Sequence, residues 1–398
     1  MLRKVAERVL VVIFGLLIAI LLAETAVRLL YIHLPMGLQI ALRDVKVVPF
    51  SDSHLAPPSL WQADTDYQTI VRPGAIDSLQ AGSPSVTFHV TSYAWWGGRV
   101  GFRSPQPQDG NVQAVALGDS FTFCFTELSD CWVTLVSQRT GLPISNLGQP
   151  VTGSTSHARL YDDFVAKPDL KLAQPRLVLW EFYGNDFNDD YGLAALDGTA
   201  RTPPLAQSAP PPASGAIAKW LRENSALYVI AGSLLRGKQA GVDEFVDPDQ
   251  VALDGLDLWF GQSYIRDAFD LSQPRNLEGV GLSEQAILWT RARVEKNGGN
   301  FVVLVFPAKE EVYRPLTEPV MGKAAVDAIA APRLSLLEFC AAQKLNCLDL
   351  LPILSPWADD RQQIYYPTDP HLNALGNHVI AEAIGDFLQR RGLLGFTF

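Results

Sequence analysis

The chain alternates short apolar segments with helical segments from residue 111 onward, and this alternation restricts the fold more than any other feature. The apolar segments have the length and composition of buried strands and cover residues 114–117, 144–147, 175–182, 300–306 and 346–350. Helical patterns fill much of the space between and around them, at residues 131–140, 160–170, 220–235, 282–296, 324–343 and 375–390. Strands that alternate with helices form parallel sheets covered by helices. The sequence therefore predicts an α/β domain over residues 111–398.

Small or polar residues follow the predicted strands. They include Gly118-Asp119-Ser120 after the first strand, Gly148 and Gly153 after the second, Gly184-Asn185-Asp186 after the third, and Asp369 and His371 after the last. The carboxyl ends of parallel strands meet at one edge of a sheet, where α/β proteins build their sites. We therefore expect these residues to lie close together.

Three of these residues have the chemistry of nucleophilic acyl transfer. Gly118 is expected to permit a sharp turn that leaves the hydroxyl of Ser120 free at the sheet edge. A serine needs a base, and His371 is the candidate to take its proton. An acceptor must fix the tautomer of His371, and Asp369 is two residues away.

A developing oxyanion also needs hydrogen-bond donors. The backbone N–H groups of Ser120 and Gly153 and the side-chain amide of Asn185 are the predicted donors. Asp119 is expected to brace the turn, and Asp186 to orient the loop of Asn185.

These residues resemble the sequence blocks of the SGNH (GDSL-type) hydrolase superfamily. GDSFT at 118–122 matches the first block, and the stretch from Asn146 to residues 153–155 resembles the second. Gly184-Asn185-Asp186 matches the third, and Asp369-Pro370-His371 resembles the fifth. The resemblance implies a three-layer, flavodoxin-like α/β/α fold and ester hydrolysis without a metal or cofactor. The apolar N-terminal segment that ends in ETAVRLLY at residues 24–31 and the Gly-Phe-Arg at 101–103 also resemble a membrane-anchored bacterial subgroup.

The fifth block departs from the usual Asp-x-x-His, because only Pro370 separates Asp369 from His371. The acid that orients His371 is expected to be Asp369, with Asp359 or Asp360 as alternatives. A backbone carbonyl in place of an acid would make the site a dyad.

The N-terminal segment has a basic start and an unbroken apolar run over residues 9–23 that continues to residue 31. This length predicts an uncleaved transmembrane anchor, with a cleaved signal peptide as the competing interpretation. Glu24 and Arg28 are four residues apart and are expected to pair. The predicted domains are an anchor over 1–33, a juxtamembrane and β-rich region over 34–110, and a hydrolase domain over 111–398 with an insertion at 190–280.

The net charge of the chain limits the partners that it can bind. The formal net charge is −10 and the sequence pI is about 5.1, so nothing favours nucleic-acid binding, which needs a basic patch.

The four cysteines form two pairs of equal spacing, Cys124 with Cys131 and Cys340 with Cys347. They fit either two local disulfides or four buried thiols, and their spacing does not suit zinc. The anchor and the cysteines together predict a cytoplasmic-membrane protein with its catalytic domain on the periplasmic side.

The remaining histidines are expected to be structural. His54 and His89 have no obvious partners, His157 is expected on a helix surface, and His378 lies in the last predicted helix.

The sequence thus predicts a serine esterase for O-acyl esters, most simply O-acetyl esters, on small molecules or on cell-envelope or exopolysaccharide glycans. The same site would be an O-acyltransferase if a sugar hydroxyl replaced water. A third interpretation is an inactive glycan-binding or assembly module. No cofactor is predicted, and the oligomeric state is left open.

Overall fold

The computed structural model describes residues 2–29, 60–81, 86–107, 110, 112–166, 174–203, 220–221, 224–236, 249–253 and 256–394. The chain divides into two compact units, a smaller one of Met1–Ser59 with Leu205–Asp247 and a larger one of Leu60–Pro204 with Pro248–Phe398. The structure thus places the β-rich residues from Leu60 onward in the unit that contains the central sheet. The predicted boundary at residue 33 lies outside the described residues.

The described strands all lie in the larger unit. In chain order they are β1 (Trp61–Asp64), β2 (Gln68–Val71), β3 (Ile76–Ala81), β4 (Val86–Thr91), β5 (Tyr93–Ala94), β6 (Gly101–Phe102), β7 (Ala114–Leu117), β8 (Ile144–Asn146), β9 (Leu177–Phe182), β10 (Asp249–Leu253), β11 (Leu256–Phe260), β12 (Asn300–Val305) and β13 (Asn346–Asp349).

The described α-helices are numbered in the same way. They are α1 (Leu2–Leu29), α2 (Ser120–Phe123), α3 (Trp132–Thr140), α4 (Ser154–Leu160), α5 (Asp186–Leu196), α6 (Ala226–Arg236), α7 (Ser263–Phe269), α8 (Pro274–Lys296), α9 (Lys309–Val312), α10 (Arg314–Met321), α11 (Lys323–Gln343), α12 (Leu351–Asp359) and α13 (Ala374–Arg390).

The central sheet has five parallel strands in the order β8-β7-β9-β12-β13. The chain leaves β7 for β8 on one side and returns to β9 on the other. This is the doubly wound 2-1-3-4-5 order, and ligands bind such sheets at the carboxyl ends of the strands where the order reverses. The predicted α/β fold with a parallel sheet is confirmed.

Side chains of the sheet alternate between two apolar layers. Ala114 and Ala116 of β7 pack on one side with residues of α3 and α13, including Trp132, Val136, Ile380 and Ile384. Val115 and Leu117 pack on the other side with residues of α4, α8 and α11, including Ala158, Ile287 and Leu336. All residues of β7 and β9 are buried, as expected for parallel strands covered on both faces. Helices on both sides give the predicted three layers.

The β-rich region contains three antiparallel pairs, β1-β2, β3-β4 and β5-β6. Trp61 and Phe88 from this region pack with Phe123 and Phe125, which follow β7. The region therefore contributes an aromatic wall behind the carboxyl edge of the sheet.

The largest differences from prediction lie between β9 and β12. The predicted insertion at 190–280 contains β10 and β11, which form a hairpin, and helix α7, none of which was among the predicted elements. Leu256, Leu258 and Phe260 are buried on one face of this hairpin, an alternation typical of a half-buried strand. Helix α8 begins at Pro274, earlier than residue 282, because proline is favoured in the first turn of a helix.

In the smaller unit, α1 ends in charged residues that contact α6. Glu24 pairs with Arg28 and accepts hydrogen bonds from the backbone N–H groups of Ala226 (2.7 Å) and Leu227 (2.9 Å). Within the described part of the chain, no helix has both the length and the apolarity to span a membrane. The prediction of a membrane-crossing helix is therefore not supported.

Candidate active site

The turn after β7 places Ser120 at the start of α2. Asp119 is the N-cap of this helix, and its carboxylate accepts a hydrogen bond from the backbone N–H of Phe121 (2.8 Å). Asp119 thus braces the turn, as predicted. The first backbone N–H groups of a helix have no partner within the helix, so the N–H of Ser120 is suited to an incoming oxyanion.

Gly118 is required for a different reason from the one predicted. Its backbone φ is not in the left-handed region, so turn strain does not demand glycine. A Cβ at this position would instead collide with the carboxylate of Glu181 and the hydroxyl of Thr122. The glycine therefore allows the close approach of a buried acid to the turn that carries the serine.

Ser120, His371 and Asp369 form one hydrogen-bonded series. The distance from Ser120 Oγ to His371 Nε2 is 2.7 Å, and the distance from His371 Nδ1 to Asp369 Oδ1 is 2.6 Å. Asp369 Oδ1 also accepts the backbone N–H of His371 at 2.9 Å. An acceptor on Nδ1 favours the tautomer with a free lone pair on Nε2, the nitrogen that meets the serine. The Asp-x-His spacing is thus compatible with an acid–histidine contact.

The alternative acids lie elsewhere. Asp359 and Asp360 are exposed at the end of α12, and none of the described hydrogen bonds joins either to His371. Burial raises the pKa of Asp369, but the facing His371 and its hydrogen bonds outweigh this and hold the pKa below the ordinary value. Asp369 is therefore suited to remain ionised beside the imidazole.

A buried lysine holds the loop that carries the acid and the base. Lys309, 2% exposed, donates from Nζ to the backbone oxygens of Tyr366 (3.3 Å), Pro367 (3.0 Å) and Asp369 (3.1 Å). Burial lowers the pKa of Lys309 to about 8, although the charges of Glu310 and Asp369 oppose the shift. Sequence analysis missed this residue, although it follows β12 at the same sheet edge.

Replacing Lys309 by methionine is expected to reduce both stability and turnover. The change removes the donor from three carbonyls, and a buried acceptor without a partner costs about 1–3 kcal/mol. We expect the free energy of unfolding to fall by about 3 kcal/mol and kcat to fall by roughly 10- to 100-fold as the loop loosens. Chemical denaturation and ester turnover measure the two effects. Lys323→Met, at a largely exposed lysine, is the control, and equal behaviour of both variants would contradict the role of Lys309.

The predicted oxyanion donors Gly153 and Asn185 lie at the ends of the neighbouring strands. Gly153 is the N-cap of α4, and a Cβ there would stand 2.5 Å from Asp186 O and 2.7 Å from Asp190 Oδ1. Asn185 is 4% exposed and donates from Nδ2 to Asp189 Oδ2 at 3.0 Å. None of the described hydrogen bonds joins Ser120 directly to either residue, so their oxyanion role stays a prediction.

Five buried carboxyl groups lie near the carboxyl edge of the central sheet, and this cluster was not predicted from the sequence. They belong to Asp119, Glu181, Asp186, Asp189 and Asp190, each at most 3% exposed. Burial raises the pKa of all five, to about 8 for Asp189 and about 6 for Asp190. Glu181 Oε2 accepts the backbone N–H of Asp119 at 2.9 Å, and the nearby charge of Asp119 adds to burial in raising the pKa of Glu181. The described residues contain no cluster of His, Cys, Asp or Glu arranged to hold a metal.

The raised pKa of Asp189 predicts a loss of stability with increasing pH. Between about pH 4 and 8 the folded state keeps this proton while the unfolded state releases it, so unfolding becomes easier, by at most about 1.4 kcal/mol per pH unit. Asp189→Asn retains an acceptor for Asn185 and should flatten this slope. Thermal unfolding from pH 5 to 8 measures it, with exposed Asp359→Asn as the control. An unchanged slope in Asp189→Asn would show that this acid does not hold its proton.

Two of the other histidines differ from expectation. His157 was expected on a helix surface but is fully buried, with Nε2 3.1 Å from Thr152 Oγ1, and burial lowers its pKa to about 3. His89 contacts Glu127 through Nδ1 at 2.8 Å. His378 contacts Asp130, and His54 lies outside the described residues.

Both cysteine pairs form disulfides, Cys124–Cys131 and Cys340–Cys347. The first joins the residue after α2 to the residue before α3. It therefore closes the loop that follows the nucleophile turn.

Comparison with known proteins supports the motif assignment. A family model described as the SGNH hydrolase-like domain of the acetyltransferase AlgX matches residues 264–396, about a third of the chain. The matched segment includes Lys309, Asp369 and His371, whereas Ser120 precedes it. A search of curated proteins found no match.

Solved structures show weaker similarity. A lipolytic protein of the G-D-S-L family from Desulfitobacterium hafniense DCB-2 is 13% identical and covers 70% of this chain and 100% of its own, with a TM-score of 0.36. An acetyl xylan esterase, AlAXEase, is 10% identical over 69% of this chain and 98% of its own, with a TM-score of 0.37. A catalytic mutant of the acetylxylan esterase Axe2 from Geobacillus stearothermophilus is 11% identical over 72% and 94%, with a TM-score of 0.37.

Together with the blocks around Ser120, Asn185 and His371, the match over residues 264–396 confirms the predicted resemblance to the SGNH hydrolase superfamily.

Proposed function

We propose that the protein is a serine esterase that acts on O-acyl esters, with O-acetyl esters as the simplest substrates. The observation that carries this proposal is the series of two hydrogen bonds, 2.7 Å from Ser120 to His371 and 2.6 Å from His371 to Asp369. The matched SGNH hydrolase-like domain supports acyl ester chemistry in general.

In the proposed reaction, His371 Nε2 takes the proton of Ser120 as Oγ attacks the ester carbonyl carbon. The carbonyl π electrons move to the oxygen and form a tetrahedral oxyanion. When this intermediate collapses, the bond to the alcohol oxygen breaks and His371 returns the proton to that oxygen. The acyl group is then bound to Ser120, and Asp369 has held the imidazolium during the transfer.

The second half repeats the proton transfers with water. His371 takes a proton from water, the resulting oxygen nucleophile attacks the acyl carbon, and Ser120 Oγ leaves with the proton from His371. We propose that the oxyanion is bound in both halves by the N–H of Ser120, the N–H of Gly153 and the amide of Asn185. Asn185 Nδ2 carries two hydrogens, and one of them donates to Asp189, which leaves the second for the oxyanion.

An O-acyltransferase is the second candidate, because the matched family model is named for an acetyltransferase. The apparatus is unchanged, and a glycan hydroxyl replaces water in the second half. An inactive glycan-binding module is the third candidate, and the intact contacts between serine, histidine and acid argue against it.

Turnover with and without an acceptor separates these candidates. The full chain and Ser120→Ala are incubated with p-nitrophenyl acetate, alone and with an oligosaccharide acceptor. An esterase releases nitrophenol and acetate at a rate that the acceptor does not change, and Ser120→Ala abolishes the release. Acetyl groups on the oligosaccharide would support the transferase. Equal inactivity of both proteins on acetyl and longer acyl esters, with equal glycan binding, would support the third candidate.

We further propose that the protein functions outside the cytoplasm. Two disulfides support an oxidising compartment, and exposed apolar side chains of α1, such as Val11, Phe14 and Leu21, are suited to contact lipid. All four cysteines of protein isolated from its native cell should resist alkylation until reduced. Alkylation without a reductant would contradict the oxidising compartment. Absence of the full chain from the membrane fraction would contradict the lipid contact of α1.

A further inference from the structure

The imidazole of His371 lies flat against an aromatic ring from the segment after the nucleophile helix. The rings of Phe125 and His371 are 4.2 Å apart between centroids and only 10° from parallel. Phe121 contacts the same imidazole at 4.8 Å and is tilted by 45°. Phe125 is therefore the ring that presents its face to the base.

Tyr366 also joins the backbone of Phe125 to the loop of His371. Tyr366 donates its hydroxyl to Phe125 O at 2.8 Å, and the N–H of Tyr366 donates to His371 O at 3.1 Å. Phe125 thus meets the histidine loop through its side chain and its carbonyl. These two contacts join segments that are far apart in the sequence.

A buried cation holds the other side of the Phe125 segment. Arg103, 1% exposed, donates from Nη1 to the backbone oxygens of Phe123 (3.0 Å), Cys124 (2.6 Å) and Thr126 (3.0 Å). The disulfide from Cys124 closes the same segment. The Gly-Phe-Arg motif therefore supplies the residue that fixes the backbone on both sides of Phe125.

An aromatic wall supports the ring from behind. Trp61 stacks on Phe125 at 5.9 Å and 16°, and Phe88 and Phe123 each meet it edge-on at 5.9 Å. Trp61 and Phe88 belong to the β-rich region, so this region contributes to the environment of the catalytic base.

We propose that Phe125 is a positioning residue that holds the His371 imidazole in the plane facing Ser120 and favours the imidazolium formed during acyl transfer. This inference rests on the proposed function. The face of an aromatic ring attracts a cation, so Phe125 favours His371 most when it carries the extra proton, as in the transition state. An aliphatic residue of similar size would keep the site dry but would lack this attraction.

Replacing Phe125 does not itself remove any of the charged groups near His371. Asp369 accepts a hydrogen bond from His371 Nδ1, and Lys309 binds the same loop. Asp119 is the third group, and a charge on His371 acts to lower its pKa. A change in pH dependence on replacing Phe125 is therefore attributable to the ring.

The test compares the full chain with Phe125→Leu, Phe125→Tyr and Phe88→Leu in ester turnover from pH 5 to 9. Phe125→Leu should lower kcat by about 10-fold with KM within about twofold, and should move the acidic limb of kcat/KM to lower pH by about 0.5 to 1 unit. Phe125→Tyr keeps the ring and should restore both. Phe88→Leu removes a ring from the same wall without touching His371, so it should lower the melting temperature but leave the acidic limb in place.

A second measurement does not depend on turnover. In Ser120→Ala protein, the ring proton resonances of His371 should be shifted upfield by Phe125, and Phe125→Leu should remove this shift while Phe88→Leu retains it. If the shift is present but the native protein is inactive, the proposed function fails and the stacking stands. If Phe125→Leu leaves both the resonances and the acidic limb unchanged, the positioning role is overturned.

Discussion

Replacing Ser120 or His371 by alanine is expected to lower kcat by about 10⁴-fold or more, and replacing both is expected to lower it little further. The two side chains act as one unit, because the serine is a weak nucleophile unless the histidine 2.7 Å away takes its proton. When residues act together, removing one already removes the contribution of the other.

Single-turnover and steady-state kinetics of the three variants with an activated ester measure this effect. Circular dichroism and melting temperature establish that each variant is folded. Losses that multiply in the double variant would contradict a shared proton transfer and would indicate that the two residues act independently.

Replacing Asp369 by asparagine is expected to lower kcat by about 10²- to 10⁴-fold. The carboxylate accepts from His371 Nδ1 at 2.6 Å and from the backbone N–H of His371 at 2.9 Å. An amide of the same shape carries no charge to stabilise the imidazolium, and its NH₂ group favours the tautomer in which Nε2 carries the hydrogen. That tautomer has no lone pair on Nε2 for the serine proton.

Asp359→Asn and Asp360→Asn are the matched controls, because both acids are exposed at the end of α12. We expect each to keep turnover within about twofold, as is typical of surface changes that leave the site intact. Turnover of all three variants decides between the candidate acids. A larger loss in either control than in Asp369→Asn would assign the role to that residue, and small losses in all three would favour a dyad.

The sheet was predictable because its strands are short apolar runs followed by small or polar residues. Parallel strands buried on both faces need continuous apolar sequence, and residues 177–182 and 300–305 satisfy this condition. The hairpin β10-β11 was missed because its alternation is short and the surrounding sequence has scattered acids. Helix α5 was missed because its polar residues Asp186, Asp189 and Asp190 are buried against the site, so its sequence lacks an amphipathic pattern.

The candidate site was predictable only where strand topology brings residues together. Ser120, Asn185 and His371 follow strands whose carboxyl ends converge, so sequence order was sufficient to group them. Lys309 acts through hydrogen bonds to backbone oxygens, and Phe125 acts through contact with the ring of His371. Neither contact follows a fixed sequence spacing, so these two residues required coordinates.

The buried position of His157 also depended on tertiary packing. It was expected on a helix surface, but its ring lies edge-on to Trp180 of the sheet, with centroids 5.5 Å apart. Helix α4 turns this histidine toward the sheet, where His157 and Ala158 are both buried.

Mass spectrometry of the protein quenched during turnover of p-nitrophenyl acetate shows whether Ser120 is the nucleophile. We expect one acetyl group on the peptide that contains Ser120, accumulating in a burst when deacylation is slow and absent from Ser120→Ala. Both hydrolysis and transfer pass through this acyl-enzyme, so the result does not depend on the final acceptor. An acetyl group on another side chain that turns over at the catalytic rate, or undiminished turnover by Ser120→Ala, would show that Ser120 is not the nucleophile.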